Sequence, residues 1–81
     1  MNVYILASGE SRQGYTVHSV HTEHEDAVHA AHVWMDTAYG FRDMPRKKRE
    51  ETRMNADAFG GDCWECDGDL VYVIRRRLSK I

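Results

Sequence analysis

The chain lacks every short motif that would commit it to catalysis. It has no Gly-x-Ser-x-Gly nucleophile turn, no phosphate-cradling glycine loop and no dinucleotide glycine fingerprint. Ser8-Gly9 and Gly60-Gly61 read as turn glycines. No apolar run approaches the ~18 residues of a membrane span, so no membrane partner is expected. There are only two cysteines, Cys63 and Cys66, and Met1–Ala7 is apolar without a basic leader. Reduced thiols in a cytoplasm are therefore expected. There is no internal repeat and no low-complexity tract. The 81 residues suit one domain, spanning 1–81. Such a domain buries only about 60% of its unfolded-chain surface, a thin margin for strained catalytic machinery. With 42% hydrophobic residues a core is still expected rather than disorder. These absences point to a protein that is not an enzyme, holds no cofactor and works through its surface.

Bases are missing from most of the chain, and the net charge of −2 hides this. Residues 1–41 hold one base, Arg12, against five acids. Residues 42–53 hold six bases, Arg42, Arg46, Lys47, Lys48, Arg49 and Arg53, against three acids. Residues 54–70 hold Asp57, Asp62, Glu65, Asp67 and Asp69 and no base. Residues 71–81 hold Arg75, Arg76, Arg77 and Lys80 and no acid. Blocks of one sign create local fields that steer partners even near neutrality.

The hydrophobic pattern predicts an α+β fold in ββααββ order. It has a four-stranded, mostly antiparallel sheet, one main amphipathic helix and a second, short charged helix. Val3–Ala7 is apolar on both faces, as in a central strand. Tyr15–His21 breaks strict alternation, and a bulge near His18-Ser19 on an edge strand accounts for that. Thr22-Glu23-His24-Glu25 matches a capping box opening the main helix, with Gly40 as its stop. Val28, Ala31, Met35 and Ala38 form its apolar stripe, flanked by Ala27, Trp34 and Tyr39. Pro45 suits the first turn of the second helix, expected to run to about residue 56 and to be exposed. Asp67-Gly68 between apolar runs predicts a tight hairpin, with the acidic block on a sheet edge. Asp69–Ile74 reads as the second central strand.

Three residue sets are candidates for function. The Cys63-x-x-Cys66 pair has zinc or redox spacing, but residues three apart on a strand face opposite sides. The pair reads as one buried and one half-exposed thiol. Glu25, His29, His32 and Asp36 lie along one helix face, a pattern that binds metal when several helices contribute ligands. Here one helix supplies them, so they read as a solvated stripe with Glu25–His29 and His32–Asp36 pairs. His18 and His21 read as surface residues. No metal site is expected. The run Arg46-Lys47-Lys48-Arg49, with Arg53, could contact phosphates. It lacks the interleaved aromatics of a base-stacking surface and matches no reader motif.

Met1-Asn2-x-Tyr4-Ile5-Leu6, a polar glycine loop, Tyr15-Thr16-Val17-x-Ser19-Val20 and a helix with Ala27, Ala30 and Ala31 resemble small phage-encoded proteins. In particular they resemble anti-CRISPR proteins of the compact α/β kind. The likeness spans about 40% of the chain and is mainly a fold pattern. Residues 42–53 and the Cys63–Cys66 hairpin have no counterpart in it. It implies a non-catalytic inhibitor in the bacterial host cytoplasm, binding a host protein or ribonucleoprotein complex through a charged surface. The acids Asp57, Asp62, Glu65, Asp67 and Asp69 are the expected contact set, docking on a basic, DNA-binding surface. The alternative is a nucleic-acid-binding module using Arg46, Lys47, Lys48, Arg49 and Arg53.

Overall fold

The structure is a computed structural model that describes residues 1–10, 14–38, 40–56 and 61–78, without the side chains of 55 and 56. The elements are β1 (Asn2–Glu10), β2 (Tyr15–His21), α1 (His24–Thr37), α2 (Arg46–Thr52), β3 (Met54–Ala56), β4 (Gly61–Cys66) and β5 (Asp69–Arg77). The α+β class is as the pattern predicts. All strand pairs are antiparallel, and the sheet order is β2-β1-β5-β4-β3. The two strands that are apolar on both faces, β1 and β5, lie side by side along nine residues each. Only such strands can be buried from above and below.

The predicted bulge is present. Register runs from Leu6 opposite Ser19 to Ala7 opposite Val17, which leaves His18 as the extra residue on edge strand β2. The hairpin turn is also as read. Asp67 and Gly68 both take positive φ, 50° and 88°, as a two-residue turn of this hand requires.

Other expectations are corrected. The second helix ends at Thr52, and residues 54–56 form β3 on β4. The sheet therefore gains a short fifth strand, and β4 is not an edge. The capping box does not form: Glu23 is the N-cap of α1 and makes no side-chain capping bond. Glu23 instead accepts the Ala27 amide through its backbone carbonyl. Helix α1 stops at Thr37, before the predicted Gly40, because Ala38 is already extended. Gly40 follows with φ of 91°, in the turn toward α2. Glycine is favoured there by that φ, since a Cβ would meet nothing nearer than the Cys66 sulfur at 3.4 Å.

The core lies between α1 and one sheet face. Period-two alternation puts Leu6, Trp64, Val71 and Val73 beneath Ala27, Ala31 and Met35, with Phe41 closing one end. The two alanines are fully buried, and their small side chains let the helix approach the sheet. The other face carries no helix among the described residues. On its β2 side Tyr15, Val17 and Val20 are more than half exposed. Trp64 is fully buried, whereas Trp34 and Ile5 are half-buried.

Trp64→Ala should cost about 3–5 kcal/mol, a large share of the 5–15 kcal/mol that typically holds a domain together. Trp34→Ala should cost less, about 1–2 kcal/mol, because less of its surface leaves water on folding. Urea denaturation of both variants checks the order, and a Trp64→Ala protein as stable as the parent would disprove this core.

Candidate functional site

The basic segment is built into the fold. Arg49 is 2% exposed. Its Nε and Nη2 donate to the Phe41 carbonyl at 3.3 and 2.9 Å, and Nη1 donates to Asp36 Oδ1 at 2.8 Å. Nη1 also reaches the His32 carbonyl at 3.4 Å. The guanidinium thus ties α2 to α1 and to the turn between them. Arg46 donates to the other oxygen of Asp36 at 3.2 Å. Arg53 donates to Glu50 Oε2 at 3.0 Å and to Asp62 at 3.1 Å, and its guanidinium lies 5.1 Å from the Trp64 ring centre. Of the five predicted nucleic-acid contacts, Arg46, Arg49 and Arg53 are therefore held by internal carboxylates. Lys47 and Lys48 are exposed. The runs 46–49 and 75–77 belong to separate elements, α2 and β5.

The histidine face is also corrected. His32 is buried, and its Nε2 donates to Glu50 Oε1 at 2.6 Å, rather than pairing with Asp36. Its ring packs edge-on against Trp64 at 5.6 Å. His24 Nε2 donates to Asp62 Oδ2 at 2.6 Å, joining α1 to β4. Glu25 and His29 are exposed and make no ion pair among the described residues. His18, exposed on β2, shares a 2.6 Å hydrogen bond with the Ser8 hydroxyl, and its ring lies 5.1 Å from that of Trp34.

Each carboxylate in this network titrates low. Hydrogen bonds from Arg49 and then Arg46 hold Asp36 below its usual 3.8. Burial pushes Glu50 and Asp62 upward, but hydrogen bonds to His32 and Arg53, and to Arg53 and His24, outweigh it. Burial likewise opposes the charge on Arg53, and its bonds to Asp62 and Glu50 reverse that.

The cysteines sit on opposite faces of β4, as period two requires. Cys63 is buried and Cys66 half-buried. Burial raises both thiols, Cys63 with help from Glu65 and Cys66 with help from Asp67 and Asp69. Neither is primed as a nucleophile. Among the described residues no three His, Cys, Asp or Glu side chains converge as metal ligands. Nor is any described helix long and apolar enough to cross a membrane.

The predicted acidic set divides. Asp57 lies outside the described residues. Asp62 is occupied by Arg53 and His24. Glu65 is exposed on β4, on the face away from α1. Asp67 and Asp69 flank the β4–β5 turn. There they meet Glu10, which sequence reasoning missed: β1 ends with Glu10 directly opposite Asp69. Glu10, Asp67, Gly68 and Asp69 line one shallow recess. Among the described residues no cation pairs with these three carboxylates. Arg75, Arg76 and Arg77 lie at the far end of β5, about 20–25 Å along the strand. The sheet is thus acidic at one end and basic at the other.

No protein-family model matches the chain, and no curated protein and no solved structure shows significant similarity to it.

Arg49→Ala should destabilise by about 3 kcal/mol, since it strands buried carbonyls and removes the closer of the two arginine partners of Asp36. Arg49→Lys should recover little, because one ammonium cannot reproduce the planar fork that meets three acceptors. Urea melts compare the two. The lowered carboxylates also set an acid limit. Their contribution is complete above their ordinary values and disappears as pH falls through the depressed folded ones. The melting temperature should therefore drop below about pH 4.5, the ordinary value for Glu50. Thermal scans from pH 7 to 2 should show a shallower drop for Glu50→Gln combined with Asp62→Asn.

Proposed function

We propose that the protein is a non-catalytic inhibitor, encoded by a phage or mobile element, that acts in the host cytoplasm. It docks its acidic sheet end on the basic, nucleic-acid-binding surface of a host complex of the CRISPR type. One observation carries the reading. The arginines of residues 46–53 are paired with Asp36, Glu50 and Asp62 of the same chain, whereas Glu10, Asp67 and Asp69 gather at one end without a cation among the described residues. Such a patch attracts a basic surface and repels phosphate. The likeness of the first 32 residues to anti-CRISPR proteins supports the choice of partner class. The alternative, direct nucleic-acid binding, would depend mainly on Lys47 and Lys48, too few charges for a strong phosphate-binding stripe.

The test is inhibition of target-DNA binding by purified CRISPR effector complexes. Asp67→Lys with Asp69→Lys should weaken inhibition at least about tenfold, and added salt should weaken that of the parent protein. Lys47→Glu with Lys48→Glu should leave it nearly unchanged. Tight binding of the isolated protein to duplex DNA or RNA, abolished by the lysine changes, would overturn the reading.

A further inference from the structure

We infer that the cleft between the end of α1 and the acidic sheet end is a receptor for one arginine side chain of a protein partner. This rests on the protein-binding reading above and names the chemistry that one of its contacts would use.

The cleft follows from a mismatch of lengths. Helix α1 has 14 residues and is about 21 Å long, whereas β1 and β5 have nine each and span about 30 Å. The sheet therefore continues past the helix. A recess of about 340 Å³ opens there. That is near the lower bound for small-ligand sites and suits a single side chain better than a cofactor.

Its lining combines three kinds of surface. Trp34 from α1 forms an aromatic wall, with the buried Phe41 from the turn after it at the base. Ser8 and Thr16, opposite each other on β1 and β2, supply hydroxyls. Glu10 and Asp69, opposite each other on β1 and β5, supply two carboxylates. Like charges directly opposite on antiparallel strands destabilise the pair, and a cation between them would reverse that. Elsewhere in the fold Asp36, Glu50 and Asp62 each have an arginine or histidine within 3.2 Å. Glu10 and Asp69 have none among the described residues.

The occupant must be cationic, flat enough to lie along aromatic rings and partly apolar. Guanidinium on a three-carbon stem meets all three requirements. It stacks on aromatic faces, donates to two carboxylates at once and is weakly hydrated. Its methylenes would lie against Ala38 and Phe41. A lysine ammonium holds water more tightly and lacks the fork. Phosphate is repelled. A protein is the source because the cleft is continuous with Asp67 on the exposed turn, through the recess that shares Glu10 and Asp69.

The chain has two tryptophans, so ¹⁵N-labelled protein gives two indole signals, one from the cleft and one from the core. The probe is N-acetyl-arginine methylamide, with the neutral citrulline analogue as control. A saturable shift of Trp34 is expected, with a much smaller one for Trp64 and at least tenfold weaker binding of citrulline. Glu10→Gln with Asp69→Asn should abolish the response without lowering the melting temperature. No saturable shift, an equal response to citrulline, or an undiminished response in the double variant would overturn the proposal. A response that appears only after Arg12→Ala would also overturn it, by showing that the chain's own base is the occupant. In the effector assay, a folded Trp34→Leu or Glu10→Gln/Asp69→Asn protein should inhibit less well than the parent. Undiminished inhibition by both, with the loss caused by Asp67→Lys/Asp69→Lys intact, would remove the arginine receptor and leave the acidic-end reading standing.

Discussion

The buried guanidinium of Arg49 is the contact on which the arrangement of the helices depends. Helix α2 has seven residues and lacks an apolar stripe, so neither propensity nor hydrophobic burial can hold it alone. Its one buried anchor is an arginine that enters the space beside α1 and answers two backbone carbonyls and a carboxylate, with the His32–Glu50 and Arg46–Asp36 pairs beside it. Burying that charge is costly, and the cost is met only because several of its donors find acceptors. Asp36 is half exposed, which lessens the desolvation of the ion pair. Because Phe41 both presents its carbonyl to Arg49 and closes one end of the core, the same contact fixes the turn that ends α1.

The charge layout at the surface is a consequence of this internal chemistry. Asp36, Glu50 and Asp62 engage Arg46, Arg49 and Arg53, so the most basic stretch of the sequence contributes less positive field than its composition suggests. Three further carboxylates, Glu10, Asp67 and Asp69, meet where strands β1 and β5 end together. Antiparallel register alone puts Glu10 against Asp69, and the Asp67-Gly68 turn adds a third acid. Neutralisation in one layer of the molecule thereby defines polarity in another.

Local signals were legible in the sequence where backbone chemistry is local. The Asp-Gly turn, the bulge at His18, the amphipathic helix and the two central strands all follow from period and turn residues within short windows. The capping box and the Gly40 stop of α1 are local signals that did not form as read; the other readings that failed depended on contacts between distant segments. His32 and Asp36 have the spacing of a solvated stripe, and nothing within α1 shows that α2 will bury His32 against Glu50 or bring Arg49 to the still exposed Asp36. Residues 54–56 continue a helix-compatible stretch, but pairing with β4 makes them a strand. Tertiary context overrode a weak local preference in both cases. Glu10 was missed for the same reason, because its nearness to Asp69 is a matter of β1–β5 register. A partial signal existed for Arg49. It lies four residues after Pro45 on a short helix, where one side must face the protein, and the sequence offers no apolar residue for that side.

The cleft is the place where these constraints stop. Over most of its area the helix-side sheet face is filled by Trp64, Met35 and the two buried alanines, and jigsaw packing leaves no space for a ligand. Past Thr37 the helix can no longer cover the sheet, yet the Arg49 contact still holds the following turn in place. Phe41 is consequently fixed at the edge of an opening rather than free to collapse into it. Trp34 is braced from the other side by the His18 ring, which the bulge in β2 directs toward α1 and the Ser8 hydroxyl anchors. Two aromatic side chains are thus positioned before any partner arrives. A contact on such a surface loses less conformational entropy on binding than one that must order its own walls. The acids at the rim lie at the ends of the two central strands, the best-supported backbone in the sheet. A recess with pre-set walls, and with carboxylates that meet no cation among the described residues, is the expected result of a fold whose α2 arginines are engaged by other carboxylates.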